Sequence, residues 1–251
     1  MIQQIVQILP KLIANKLIAA ILLGISLLPI AVIADDKAPP DDKAPPTGRS
    51  SGGRGCGTTT QPAQSNVPAL ILLAPSSYSG KTISTRPTFA WFVRDTAAVA
   101  MEFRLYEQEN NRYKLVKEIK DDNFKTLPGI MLLSPSNSTP ELTVGKRYRW
   151  QVELVCDPSR PSGNLFAESE IEVVPIPANL KKQVESTSDR LSQAKLYAQA
   201  NLWYDAFGTA FASPSNEIGL KDLRVSLLDQ VATDDAEKGV LRGSEIHSLQ
   251  R

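Results

Sequence analysis

The chain has 251 residues, 42% of them hydrophobic, with 28 basic and 27 acidic side chains and a formal net charge of +1. That length fits one or two domains with a proper core. A charge so close to neutral supplies no broad basic face for nucleic acid or anionic lipid.

Lys11 and Lys16 precede an uncharged apolar run from Leu17 to Ala34, with the small Val32 and Ala34 at cleavage positions and Asp35-Asp36 directly after. This is the pattern of an export signal over residues 1–34. The run is close to the ~18-residue lower limit for spanning a bilayer, so an uncleaved N-terminal anchor is the alternative. Pro29 and the small residues after it favour cleavage, which leaves no stable membrane span and takes away two lysines but no acid, so that the remainder carries −1. Either way, the residues beyond Ala34 lie outside the cytoplasm, in the periplasm or the extracellular space. There Cys56 and Cys156 form an even pair and are expected to be disulfide-bonded. Closing a loop of about 100 residues stabilises by ~4–5 kcal/mol in the chain-entropy model.

Residues 35–66 read as a disordered linker. Asp35-Asp-Lys-Ala-Pro-Pro40 repeats as Asp41-Asp-Lys-Ala-Pro-Pro46, and the stretch to Gln64 is rich in Gly, Ser, Thr and Arg. Such a composition buries too little apolar surface to offset its chain entropy.

Residues 67–177 predict an all-β domain. Short segments alternate in polarity or are wholly apolar: Ala69–Leu73, Thr85–Val93 with Trp91 facing in, Ala100–Tyr106, Tyr113–Ile119, Gly129–Leu133, Tyr148–Cys156 and Leu165–Val174. About seven antiparallel strands at near-regular spacing predict a β-sandwich. The clearest is the sixth, where Tyr148, Trp150, Val152, Leu154 and Cys156 share one face and Arg149, Gln151 and Glu153 the other. Its lead-in, Leu142-x-x-Gly145-x-x-Tyr148, resembles the corner that opens the second-last strand of immunoglobulin-like and fibronectin-like sandwiches. The resemblance implies a turn permitted by Gly145 and a Tyr148 hydroxyl bonded to backbone just upstream. If the last two strands form a hairpin about the 157–164 loop, Arg149 falls opposite Glu170 or Glu172.

Beyond Pro175 and Pro177 the period changes to that of a helix. Over residues 178–231, Asn179 is placed to cap a helix carrying Leu180, Val184, Thr187, Leu191, Ala194 and Ala198 on one face. Leu196, Ala200, Trp203, Phe207 and Ala210 form a second stripe, either in the same helix or across a turn at Asn201. Ala194, Tyr197 and Ala206 have spacings similar to one tetratricopeptide unit, which cannot bury its own apolar face and must dock elsewhere. Leu220, Leu223, Leu227 and Val231 predict a short third helix, and residues 232–251 a flexible polar tail.

Three segments taken together, Arg86–Val93, Gly145–Pro158 and Leu196–Phe207, resemble the cyanobacterial domain-of-unknown-function family 928, over roughly Cys56 to Val231. The resemblance implies an exported protein of a sandwich plus helices with no assigned activity. A glycine is expected in that family at the helix turn where Asn201 stands, and Asn tolerates the left-handed backbone such a turn requires.

Little in the sequence points to chemistry. The single histidine, His247, sits near a polar C-terminus and reads as a solvent-exposed bystander, so histidine-based catalysis has no positioned base and zinc no ligand set. Gly52-Gly-Arg-Gly55 neither follows a strand nor opens a helix, which argues against a phosphate loop. No cofactor is expected. Glu168, Glu170 and Glu172 share one strand face and give the only enzymatic alternative, a carbohydrate-active site built on outward carboxylates. An acidic face neutralised by arginine explains the same pattern. Tyr197, Trp203 and Tyr204 are candidate partner contacts, because Trp and Tyr dominate interface energetics, although packing accounts for them as well. The leading expectation is therefore a non-catalytic, exported module that contacts an envelope protein or polymer through the helices or the 157–164 loop. A self-associating structural envelope protein is the third possibility.

Overall fold

The computed structural model describes residues 48–50, 55–56, 67–110, 112–134, 136, 141–212 and 218–250. The predicted export signal and most of the predicted linker lie outside the described residues. All seven predicted segments form strands: β1 (Leu70–Leu72), β3 (Phe89–Val93), β4 (Ala100–Glu109), β5 (Arg112–Ile119), β6 (Gly129–Ser134), β7 (Arg147–Val155) and β8 (Leu165–Val173). Two more are not predicted, β2 (Gly80–Thr82) and β9 (Ile246–Gln250). The strands make a four-stranded sheet in the order β1-β3-β6-β9 and a five-stranded sheet in the order β2-β8-β7-β4-β5. Both added strands pair in parallel, β2 with β8 and β9 with β6, so the sheets are mixed rather than purely antiparallel as expected. Neither Gly-Lys-Thr nor Ile-His-Ser-Leu-Gln carries a strand pattern of its own; each is ordered by the neighbour it pairs with.

The two sheets meet across one core. Phe89 of β3 lies 5.1 Å from both Phe103 of β4 and Trp150 of β7, and Trp91 stacks on Phe103 at 6.4 Å. In the five-stranded sheet burial alternates along β7 and β8, giving one inward and one outward face. In the four-stranded sheet every residue of β1 and β3 is buried, which requires cover on both faces. Apolar side chains of the helices, among them Phe207, Leu223, Leu227 and Leu241, belong to the same continuous core.

The helical segment holds α1 (Ala178–Glu185), α2 (Arg190–Gln199), α3 (Trp203–Phe211), α4 (Ile218–Val231) and α5 (Asp235–Arg242). The long first helix is broken in two, because Ser186 and Thr187 hydroxyls donate back to the Gln183 carbonyl at 2.9 and 2.7 Å while Asp189 caps α2 through the Ser192 amide. Asn179 does not cap α1. It lies inside the first turn, and the capping position is Pro177. The turn between α2 and α3 does fall at Asn201, with φ +56°. No helix of the described residues is long and apolar enough to cross a membrane.

Two predicted flexible regions are ordered by distant contacts. The tail 232–251 forms α5, capped by Asp234 on the Glu237 amide, and then β9 on the edge of β6. In the predicted linker, residues 48–50 lie along the free edge of β1, with the Ser50 amide donating to Leu70 O (3.0 Å) and the Leu72 amide to Gly48 O (2.6 Å). Arg49 then reaches α5. It pairs with the carboxylate of Glu237, which is only 2% exposed, at 2.9 Å, and also donates to the Val231 carbonyl.

Candidate functional site: a charged cleft at one end of the five-stranded sheet

The predicted corner is formed. Gly145 has φ +85°, and the Thr143 amide donates to the Tyr148 hydroxyl at 2.9 Å. Trp91, Tyr148 and Trp150 are buried. The Cys56–Cys156 disulfide is present, so part of the predicted linker is covalently joined to the residue directly after β7.

The aromatic trio on the helices does not form an exposed patch. Trp203 and Tyr204 are buried, and the Trp203 indole donates to Leu73 O at 3.1 Å. Tyr204 enters the space between the sheets: its hydroxyl accepts from the Trp150 indole at 2.8 Å and donates to Glu170 O at 3.2 Å. Gly80 of β2 makes room for that ring, since a β-carbon there would stand 2.6 Å from it. Tyr197 is half-buried. A helix pair that must dock has docked on its own sheets, which removes Trp203 and Tyr204 as partner contacts.

The outward Glu row is occupied as well. The β7–β8 register sets Arg149 opposite Glu170. Arg149 bonds Glu170 at 3.1 Å and Glu168 at 3.4 Å, while Arg147 pairs with Glu172 at 3.5 Å. Ser79 and Tyr113 also donate to Glu170, and the Arg149 guanidinium lies 4.0 Å over the Tyr113 ring. His247 stands in β9 with Nε2 2.9 Å from Pro128 O, a half-buried member of the other sheet rather than part of a frayed end. Among the described residues no three acidic, histidine or cysteine side chains converge as a metal site would need.

What the fold does build is an open cleft of about 590 Å³. Its floor is the end of the outward sheet face, with Glu102 and Arg104 from β4 and Glu153 from β7. One wall is Lys120–Asp122, after β5; the other is the loop joining β7 to β8, through Pro158, Pro161 and Asn164. Glu102 and Glu153 are directly opposed across the β4–β7 pair. Like charges in that position repel, and two cations compensate. Arg104 donates to Glu153 at 2.6 Å and to Glu118 at 2.9 Å and is also bonded to Glu102, whose other oxygen takes Lys120 at 2.7 Å. Asn164 closes the loop onto this floor, donating to Glu153 at 2.7 Å while its own carbonyl accepts the Cys156 amide at 3.2 Å. Disulfide and loop closure therefore act at the same point of the sheet.

Burial pushes the Glu153 carboxyl up, but hydrogen bonds from Arg104 and Asn164 outweigh it and hold the group below the usual carboxylate range. Burial likewise opposes the charge on Arg104, and its bonds to Glu153 and Glu118 hold the guanidinium pKa above normal. A carboxylate fixed as an anion is a poor general acid, so Glu153 is suited to accepting hydrogen bonds rather than to giving up a proton. One further residue belongs to this row. Phe166 of β8 is directly opposite Glu153 and is 54% exposed. Its outward direction follows from the parity of β8, in which Glu168, Glu170 and Glu172 face out, yet the sequence alone assigns it no chemical role.

The described residues thus form a disulfide-pinned domain of two mixed sheets with five α-helices, carrying a cleft with a charged floor that holds the Glu153 carboxyl below the usual carboxylate range. The chain belongs to the family described as Domain of Unknown Function (DUF928), whose model matches residues 49–239 and so includes both partners of the Arg49–Glu237 pair. No functionally curated protein matches the chain.

Proposed function

We propose that this protein is an exported, non-catalytic binding module of the cell envelope that engages its partner at the cleft beneath the 157–164 loop. The observation carrying this reading is that cleft: charged side chains of the floor and one wall stand beside apolar Met101, Val155 and Pro158, its loop is fastened by Asn164 and by the disulfide at Cys156, and it opens to solvent. Export is supported by the signal-like first 34 residues and by a disulfide, a bond that persists in oxidising compartments. A sandwich of immunoglobulin-like type is supported by the Gly145–Tyr148 corner and by two sheets sharing a core; the parallel β2 and β9 are departures from that plan. The carbohydrate-active alternative is weakened by the engagement of Glu168, Glu170 and Glu172 with arginines.

The test is co-sedimentation of the full mature chain with isolated envelope material, wild type against Asp122→Trp. Asp122 is an exposed cleft residue, so the bulky ring fills the cleft without touching the core. Retention is expected to fall about tenfold, the scale of losing a central contact, at unchanged melting temperature. Equal retention of both proteins would remove the cleft as the binding site.

A further inference from the structure

We infer that the cleft's ligand is a glycan, held by stacking on Phe166 and by hydrogen bonds to Glu102, Arg104, Glu153 and Asn164. This rests on the cleft being the binding site, and it names the chemistry that fits there. Across the end of the sheet, Glu102, Glu153 and Phe166 stand side by side on β4, β7 and β8. Directly opposed residues hold their β-carbons about 4.5–5.5 Å apart, so the Phe166 ring adjoins the polar floor. Single exposed apolar side chains are ordinary on protein surfaces. This one is a ring without a polar tip, more than half exposed, one strand over from Glu153 of the cleft floor.

A sugar ring presents the matching pattern, a face of C–H groups and a rim of hydroxyls that each donate and accept. The floor offers both halves of that exchange within a few ångströms. Glu153 accepts from Arg104 and from Asn164, and a carboxylate has about four lone-pair sites, so acceptor capacity remains. Arg104 and the Asn164 amide supply donors. Because these groups already fix one another, little side-chain entropy is lost when a ligand arrives. Four acids, Glu102, Asp121, Asp122 and Glu153, against two bases, Arg104 and Lys120, make the cleft repel polyanions, which sets aside nucleic acids and acidic polysaccharides.

The experiment uses the full mature chain and three immobilised probes: isolated envelope fraction, the same fraction digested with protease, and the digested fraction after periodate oxidation of its vicinal diols. Wild type is compared with Phe166→Ala, and with Val240→Ala as an exposed control remote in sequence from the cleft. The expected result is equal retention on untreated and protease-digested material, loss after periodate, and retention about tenfold weaker for Phe166→Ala but unchanged for Val240→Ala. Retention on untreated envelope that disappears with protease digestion overturns the glycan assignment in favour of a protein partner and leaves the binding module standing. Retention insensitive to periodate, or identical in Phe166→Ala and wild type, also overturns it. No retention on any probe refutes both this inference and the function it rests on.

Discussion

Replacing Tyr204 with Phe removes one oxygen and keeps the ring. That oxygen sits between two buried groups, accepting from the Trp150 indole at 2.8 Å and donating to the Glu170 carbonyl at 3.2 Å. Trp150 is fully buried and Tyr204 is 2% exposed, so water cannot substitute for the lost partner. Leaving a buried donor unsatisfied costs about 1–3 kcal/mol, and the second broken bond places the expectation near the middle, about 2 kcal/mol. For a domain of this size such a loss lowers the melting temperature by about 4–8 °C. Urea unfolding of wild type, Tyr204→Phe, Trp150→Phe and the double variant measures it. The double variant should be less destabilised than the sum of the single ones, because the donor and its acceptor leave together. A change below about 0.5 kcal/mol in Tyr204→Phe, a value typical of surface sites, would refute the reasoning that Tyr204 joins the helices to the sheets.

Two further predictions concern buried charge. Arg49→Ala strands the Glu237 carboxylate in a buried position and should cost about 3 kcal/mol, with part regained in Arg49→Ala/Glu237→Gln. Burial pushes Glu237 up, but Arg49 and the Thr233 amide hold it below the usual carboxylate range. The wild type should therefore lose this contribution as pH falls through that lowered value, and Arg49→Ala should lack the dependence; acid-unfolding midpoints test both. Asp205 behaves in the opposite sense, since burial raises its pKa to about 6 despite the bond it accepts from the Ile83 amide. The folded state keeps a proton there that the unfolded chain releases. Its contribution is full below about pH 4 and should be lost, by at most about 3 kcal/mol, as pH rises through about 6. Chemical denaturation across that range should show the slope in wild type and its loss in Asp205→Asn.

The parts of this fold that can be read from the sequence are those whose pattern is local. Alternation in Tyr148–Cys156 and Leu165–Val174 identifies β7 and β8, and their shared parity sets Arg149 against Glu170 or Glu172, of which the register takes Glu170. The parts that cannot be read are those ordered by something far away. Gly80-Lys-Thr has no apolar rhythm and becomes a strand only beside β8, leaving room for Tyr204. Arg49 looks like any residue of a Gly- and Ser-rich stretch until Glu237 is found 188 positions on. The aromatic stripe of α3 reads the same whether it faces a partner or its own sheets, since periodicity gives a face and not its destination. For the cleft, the outward positions of Glu102, Arg104 and Glu153 are legible, but their convergence under Asn164 depends on the β4–β7 register and on where the loop folds back.

The manner in which the chain enters the domain has a mechanical consequence. Tension arriving from the N-terminal side of Gly48 first meets the few bonds that hold residues 48–50 to β1 and Arg49 to α5. Once these have peeled away, the pull is arrested at Cys56 and passes through sulfur directly to the end of β7. The stretch enclosed by that bridge, which includes β1 to β7, is bypassed. A domain wired in this way gives up one short N-terminal attachment and then carries the load past β1 to β7, through sulfur.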